Sequence, residues 1–471
     1  MGWAADWIEQ TKLWARGAEG DKGDALHRPL ALRLEATLRR GQESLSPREL
    51  RRLLQDMQQV ADASLSDVEG GRYAQVLMDW YAKAELPTRK DFWLLAIEKF
   101  GPDAKALQAA RDRYDKATSD VERSEAEMAL RRALISSRTR LLQRFAQPQG
   151  GMRFLVNMRA DLLALPKAEQ RYVALDAELE HLFSSWFDVA LLELKSINWD
   201  SPASLLEKLI QYEAVHDIRS WADLKNRLDS DRRCYGFFHP RMPNVPLIFV
   251  EVALLDKMAG SMAPLLDESA AAADLSKANT AIFYSISNTQ TGLKGVSFGD
   301  SLIKHVVETL TQEFPKLKQF ATLSPIPGLR SWIAKNGDAV LAELDDKQKA
   351  ALEKVAGGVS AAQLLGALDD PGSLPGKSVV CGAAMFCAAR YLGRETAKSR
   401  PLDAVARFHL GNGARVERLN WAADLSTKGL KQSMGLMVNY LYDLKRLDKH
   451  RSLLAQGKIP VSSEIESLCK G

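Results

Sequence analysis

Two spacings of apolar residues divide the chain. Up to about residue 186 they recur at helical intervals. Leu50, Leu53, Leu54, Met57 and Val60 form one stripe, and Ser46-Pro47-Arg48-Glu49 ahead of it has the capping-box spacing with proline at the first helical position. A second helix is predicted from Thr88 and Asp91 into Phe92, Leu95, Ile97 and Phe100, and a long charged helix from Pro102 to Phe145. Helical spacing continues to about residue 230, through WADLKNRL. The apolar run Leu247 to Leu255 is then extended, and an α/β pattern continues to the C-terminus. The expected architecture is α+β: an all-α helical bundle over 1–186, used for assembly, and an α/β domain with helical insertions over 187–471.

Within the second region, residues 283–310 read FYSISNTQTGLKGVSFGDSLIKHVVETL. A strand is predicted over Ala281 to Ile286, then a loop with glycines at 292, 295 and 299. A helix follows whose stripe is Leu302, Ile303, Val306, Val307 and Leu310. A loop between strand and helix presents backbone N–H groups and the positive end of a helix dipole, which suits a phosphate-bearing ligand. Neither G-x-G-x-x-G nor the P-loop pattern occurs here, so an ordinary strand-to-helix turn stays open.

A second strand is predicted from Gln319 to Leu323. It is followed by Ser324-Pro325-Ile326-Pro327-Gly328, where the prolines hold the serine at a strand end in a stiff turn. That hydroxyl can face a ligand or bond its own backbone. Further on, Asn412-Gly413 predicts a tight hairpin between extended runs, placing His409 near a strand end with an ordinary pKa suited to proton delivery. Residues 335–400 read as short helices and loops, either flanking a site or forming a surface excursion. Leu430 to Leu444 reads as a last helix, with Met434, Met437 and Leu441 on its buried face.

Composition narrows the possibilities. The chain has 471 residues, 46% of them hydrophobic, enough for two or three packed domains, and a net charge of +4 is too mild to imply nucleic acid. Arg131, Arg132, Arg138, Arg140 and Arg144 follow Glu122, Glu125 and Glu127 without interleaved aromatics, as on a solvated helix face. Cysteines 234, 381, 387 and 469 form no C-x-x-C and the seven histidines are scattered, so neither a metal site nor a disulfide framework is expected. The first residues carry Asp6, Glu9 and Glu19 and lack a signal pattern, and the last five, Ser-Leu-Cys-Lys-Gly, are not a peroxisomal address. With no apolar stretch of membrane-spanning length, a cytoplasmic protein without a membrane partner is expected.

Taken together, GGMRFLVNMRADLL, RRCYGFFHPRMPNVPLIFVEVAL, FYSISNTQTGLKGVSFG, TLSPIPG and ARFHLGNGARVERLNWAADLSTKGLKQSMGLMVNYLYDL resemble malonyl-CoA decarboxylase, specifically a bacterial member, in the same order over about residues 150 to 445. Residues 1–149 resemble it only in helical character. The resemblance implies a helical N-terminal domain and a catalytic domain of the GNAT acetyltransferase fold. The reaction it implies is malonyl-CoA to acetyl-CoA and carbon dioxide, with the CoA thioester as substrate and neither metal nor organic cofactor. It places the catalytic pair on Ser324 and His409 and the CoA-binding loop on Lys294, Gly295, Val296, Ser297, Phe298, Gly299 and Asp300. Lys304 would add to a basic mouth for the phosphates. It further implies a homo-oligomer, dimer or tetramer, joined through the helical domain. A GNAT-type acyltransferase and a noncatalytic acyl-CoA sensor are the competing functions; the first uses the same fold but does not need the Ser324/His409 pair, and the second would tolerate substitution of His409.

Overall fold

Residues 44–166, 169–296 and 299–470 are described by the structure, a computed structural model. The chain divides into two compact units. One comprises the described residues up to Phe183 together with Thr291–Gly295, and the other spans 184–290 and 296–470.

The first unit is helical. Ser46 caps Pro47–Ala61 through the expected capping box with Glu49, and Leu50, Leu53, Met57 and Val60 are buried, Leu54 only partly. The next predicted start lies two residues early of Thr88, at Leu86–Lys99, because Pro87 occupies the first turn, where a missing N–H costs nothing. The long charged helix is instead three: Ala104–Lys116, Asp120–Leu134 and Ser137–Phe145. Ser119, in a capping box with Glu122, and Ser136 each start a new helix, so cap chemistry overrides the continuous charge pattern. Phe92, Trp93, Phe145, Leu155 and Leu179 are fully buried and form the centre of this unit.

The second unit is built on a mixed sheet. Its strands are β1 (Glu193–Ile197), β2 (Arg232–Phe238), β3 (Pro246–Leu255), β4 (Thr280–Asn288), β5 (Gln319–Thr322), β6 (Ser324–Pro325), β9 (Arg415–Asn420) and β10 (Met437–Leu441), while β7 (Thr396–Ala397) and β8 (Arg400–Pro401) form a separate small ribbon. The main order is β1-β2-β3-β4-β5-β10-β6, with β9 on β10. A helical region followed by a mixed-sheet domain with helical insertions is the expected fold class. β1 lies inside a stretch expected to be helical. It is half exposed and gains its structure from antiparallel pairing with β2, a long-range partner that local spacing does not reveal.

β4 and β5 create the opening for the site. They pair in parallel from Thr280–Gln319 to Phe283–Thr322 only, while β4 stays paired to β3 as far as Asn288. Beyond Phe283 no strand among the described residues lies on the β5 side of β4, because the chain after Leu323 pairs as β6 with Val438 and Met437 of β10. Pro325 in β6 has no N–H with which to extend a ladder, so the strand stops after two residues.

Two local readings are corrected. Leu430 to Leu444 is not one helix: Thr427–Ser433 is helical, Met434 and Gly435 take left-handed φ of 53° and 78°, and Met437–Leu441 is β10. Asn412-Gly413 is not a hairpin turn. His409 lies on the helix Ala404–Gly411, which ends at Asn412, and Gly413 has φ 87°. A glycine with positive φ stops a helix as readily as it turns a hairpin, so the dipeptide alone does not distinguish the two.

Candidate active site

Ser324 and His409 meet in the opening between β4 and β5. His409 Nε2 lies 3.2 Å from Ser324 Oγ, and Ser324 Oγ donates to Thr322 Oγ1 at 2.8 Å. On the other side of the ring, Nδ1 is 2.7 Å from the Tyr442 hydroxyl. Tyr440 stacks on the imidazole with ring centroids 4.7 Å apart. Together with Phe283, Ile286, Val405 and Phe408, the pair lines a cavity of about 220 Å³. A larger one, of about 550 Å³, includes Ile303, Val307, Asn412 and Tyr442 in its wall and contains neither Ser324 nor His409.

Separate elements hold each member. Asp403 caps the helix of His409 by accepting from the Val405 and Ala406 N–H groups, both at 2.9 Å. Its other oxygen accepts from the Tyr391 hydroxyl at 3.3 Å, and the Gly328 N–H is also directed at the carboxylate. One buried carboxylate thus ties the turn after Ser324 to the helix of His409. Gly328 is needed here for space, since a Cβ would come 2.3 Å from the Tyr391 oxygen. Tyr391 belongs to the largely buried helix Val379–Gly393, so the 335–400 segment flanks the site. Thr322 is anchored from β10: its Oγ1 accepts from the Tyr440 N–H at 3.1 Å and its carbonyl from Asn439 Nδ2 at 2.7 Å.

Burial alone pushes the His409 pKa down to about 3, so the free protein carries it as a neutral ring. The unfolded chain binds a proton near pH 6.5 that the folded chain refuses, so stability is lost as pH falls from about 6.5 toward about 3. The expected slope from this group is about 1.4 kcal/mol per pH unit. Urea unfolding at several acidic pH values should show a shallower decline in a His409→Gln variant.

The proposed CoA loop divides at Gly295. Lys294 and Gly295 group with the helical unit, whereas Val296, Gly299 and Asp300 group with the sheet unit. Ser297 and Phe298 lie outside the described residues, and Gly299 begins the helix Gly299–Glu313. Lys294 and Lys304 are exposed. Within the helical unit, Arg159, 1% exposed, holds the start of this loop by donating to the carbonyls of Gly292 at 3.0 Å and Lys294 at 2.7 Å while pairing with Asp176 and Glu180. Gly295 has φ 89°, which favours glycine.

Gly292 is glycine for packing, because a Cβ would stand 1.9 Å from the Val156 carbonyl oxygen. Gly292→Ala is therefore expected to cost about 1–3 kcal/mol. Thermal unfolding measures that loss.

Sequence reasoning named Ser324 and His409, which the structure brings together, but not their neighbours Thr322, Asp403, Tyr440 and Tyr442. The spacing of Tyr440 and Tyr442 at i and i+2 is a strand signal, which the helical reading of Leu430 to Leu444 hid. The four cysteines are buried and free of disulfides. Among the described residues no group of three or more His, Cys, Asp or Glu is placed to hold a metal ion, and no helix is long and apolar enough to cross a membrane.

The α+β fold holds a buried Ser/His contact in the opening of a mixed sheet, and comparison with known proteins gives the class, a carboxy-lyase. Residues 190–471 match the family model described as Malonyl-CoA decarboxylase C-terminal domain, and residues 100–187 the one described as Malonyl-CoA decarboxylase N-terminal domain. The chain belongs to the malonyl-CoA decarboxylase family. The family-model match thus starts at residue 100, about 50 residues before the first of the motifs that carry the resemblance.

The mitochondrial malonyl-CoA decarboxylase of Mus musculus is 37% identical over 362 residues, 73% of each chain, and that of Anser anser anser 35% identical over 369 residues, 73% of this chain and 70% of the other. The crystal structure of malonyl-CoA decarboxylase from Rhodopseudomonas palustris is 40% identical with a TM-score of 0.78, covering 89% of this chain and 99% of that one. The one from Agrobacterium vitis is 39% identical with a TM-score of 0.79, covering 89% and 100%.

Proposed function

We propose that the Ser324–His409 cleft converts malonyl-CoA to acetyl-CoA and carbon dioxide without metal or organic cofactor. What carries this reading is the buried contact of His409 Nε2 with Ser324 Oγ at 3.2 Å, facing a cavity of a size suited to a short acyl group. The bond from C2 to the carboxylate breaks, carbon dioxide leaves, and the electron pair is held as the thioester enolate. A proton then forms the new C–H bond. A thioester already supports that enolate, so the protein's task is to position the acyl group, strip water from its carboxylate and aim hydrogen bonds. When substrate enters, the Ser324 hydroxyl turns from Thr322 Oγ1 to donate to the malonyl carboxylate or the enolate oxygen, and His409 Nε2 supplies the proton.

The CoA phosphates are taken by Lys294–Asp300 and the first N–H groups of the helix Gly299–Glu313. The protein acts in the cytoplasm as a dimer or tetramer joined through its helical domain, residues 1–186. Exposed Val68, Val76, Val121, Leu134 and Ile135 in that region support self-association.

The test is release of acetyl-CoA and carbon dioxide from malonyl-CoA by wild type, Ser324→Ala and His409→Ala without added metal. Turnover by wild type alone is expected. An inactive wild type overturns the reaction, and active variants overturn the site.

A further inference from the structure

We infer that Tyr442 is a positioning residue that makes His409 a proton donor toward the cleft, an inference that rests on the Ser/His decarboxylase reading. The direction of each hydrogen bond leads to it. Ser324 has one hydroxyl proton and gives it to Thr322 Oγ1. Its contact with His409 Nε2 is then made through a lone pair, so Nε2 carries hydrogen. The ring is neutral and has one N–H, so Nδ1 is bare and needs a donor. The Tyr442 O–H, 2.7 Å away, is that donor.

In a Ser-His-Asp arrangement a carboxylate accepts from Nδ1, which leaves Nε2 as a base for activating serine. A phenol at Nδ1 reverses that polarity. The pair is therefore wired to give a proton to a carbanion, and not to make Ser324 a nucleophile that would carry an acyl group.

A neutral imidazole cannot give up its single proton and become an anion at reasonable cost, and Tyr442 resolves this. As Nε2–H is transferred to C2, the Tyr442 O–H proton moves to Nδ1, so the ring stays neutral and Tyr442 is briefly a phenolate. After acetyl-CoA leaves, solvent protonates Nε2 and the Nδ1 proton returns to Tyr442. One proton enters for each C–H bond formed, and the starting tautomer is restored.

The experiment combines 15N NMR of histidine-labelled protein with steady-state kinetics of Tyr442→Phe. In wild type at neutral pH the His409 signals, assigned by their loss in His409→Gln, should show hydrogen on Nε2 and a bare Nδ1. Tyr442→Phe should lower kcat about 10-fold or more while KM for malonyl-CoA changes by no more than about twofold. Wild type with hydrogen on Nδ1 overturns the inference, whether or not the phenylalanine variant folds. So does a folded variant with unchanged kcat. If Ser324→Ala and His409→Ala keep full turnover, the underlying reading fails; if they lose it while Tyr442→Phe does not, only the role of Tyr442 fails.

Discussion

Replacing His409 with alanine is expected to lower decarboxylation by about 10²- to 10⁴-fold, the usual range for a positioned general acid. The ring is 3% exposed and makes a contact at each nitrogen, so alanine removes both the proposed proton source and a hydrogen-bond partner of Ser324. KM for malonyl-CoA should change little, because the CoA portion is assigned to other residues. A loss confined to kcat marks an interaction used only on the way to the transition state. The kcat/KM profile of wild type should also lack an ionisation near 6.5, since burial keeps the free protein's His409 neutral far below that pH. Stopped assays of acetyl-CoA between pH 5 and pH 8 would read both quantities; a clear step near 6.5 that vanishes in the variant would count against the buried, neutral histidine.

The second large effect concerns stability and lies beneath the cleft wall. Arg227 donates to Asp223 at 2.8 Å and Glu251 at 3.1 Å, with side-chain exposures of 1% for Arg227 and Glu251 and 7% for Asp223. It also reaches the Asp217 carbonyl at 3.3 Å. Glu213 accepts from Ser285 and Ser287 of β4, at 2.7 Å and 3.1 Å, and so fixes the segment that brings Val215 into the cleft wall. Burial and Glu213 push the Glu251 pKa up to about 8, so Arg227→Leu leaves the buried Asp223 carboxylate without its cation and the Glu251 carboxyl without its donor, at an expected cost of about 3–5 kcal/mol. Adding Glu251→Leu removes one of them, so the double variant should be more stable than the single one. Urea denaturation of wild type, both single variants and the double variant provides the measurement, and additive losses would show that the pair is not coupled.

Much of the fold was legible from local chemistry. The capping box at Ser46, the stripe from Leu302 to Leu310 and the extended run into β3 each use signals within a few residues. The errors share one cause. β1 and β10 lie in stretches of helical spacing, and their strand character depends on distant partners, Cys234 to Phe238 for β1 and both Ser324 and Leu419 for β10. Tyr442, directly after β10, was missed together with it, because a residue's role at a site cannot be read when the stretch carrying it is misassigned.

By itself the sequence determined the α+β class, the glycine-bearing loop and the family, and it singled out Ser324 and His409 as candidates, since each depends on short motifs or local periodicity. Only the tertiary structure decided what surrounds that pair. The early parting of β4 from β5 opens the cleft. Asp403 joins two segments separated by the whole helical insertion, and Tyr442 meets a histidine 33 residues away. Burial, the directions of hydrogen bonds and a displaced pKa are properties of groups brought together by packing, and no spacing along the chain encodes which groups will meet.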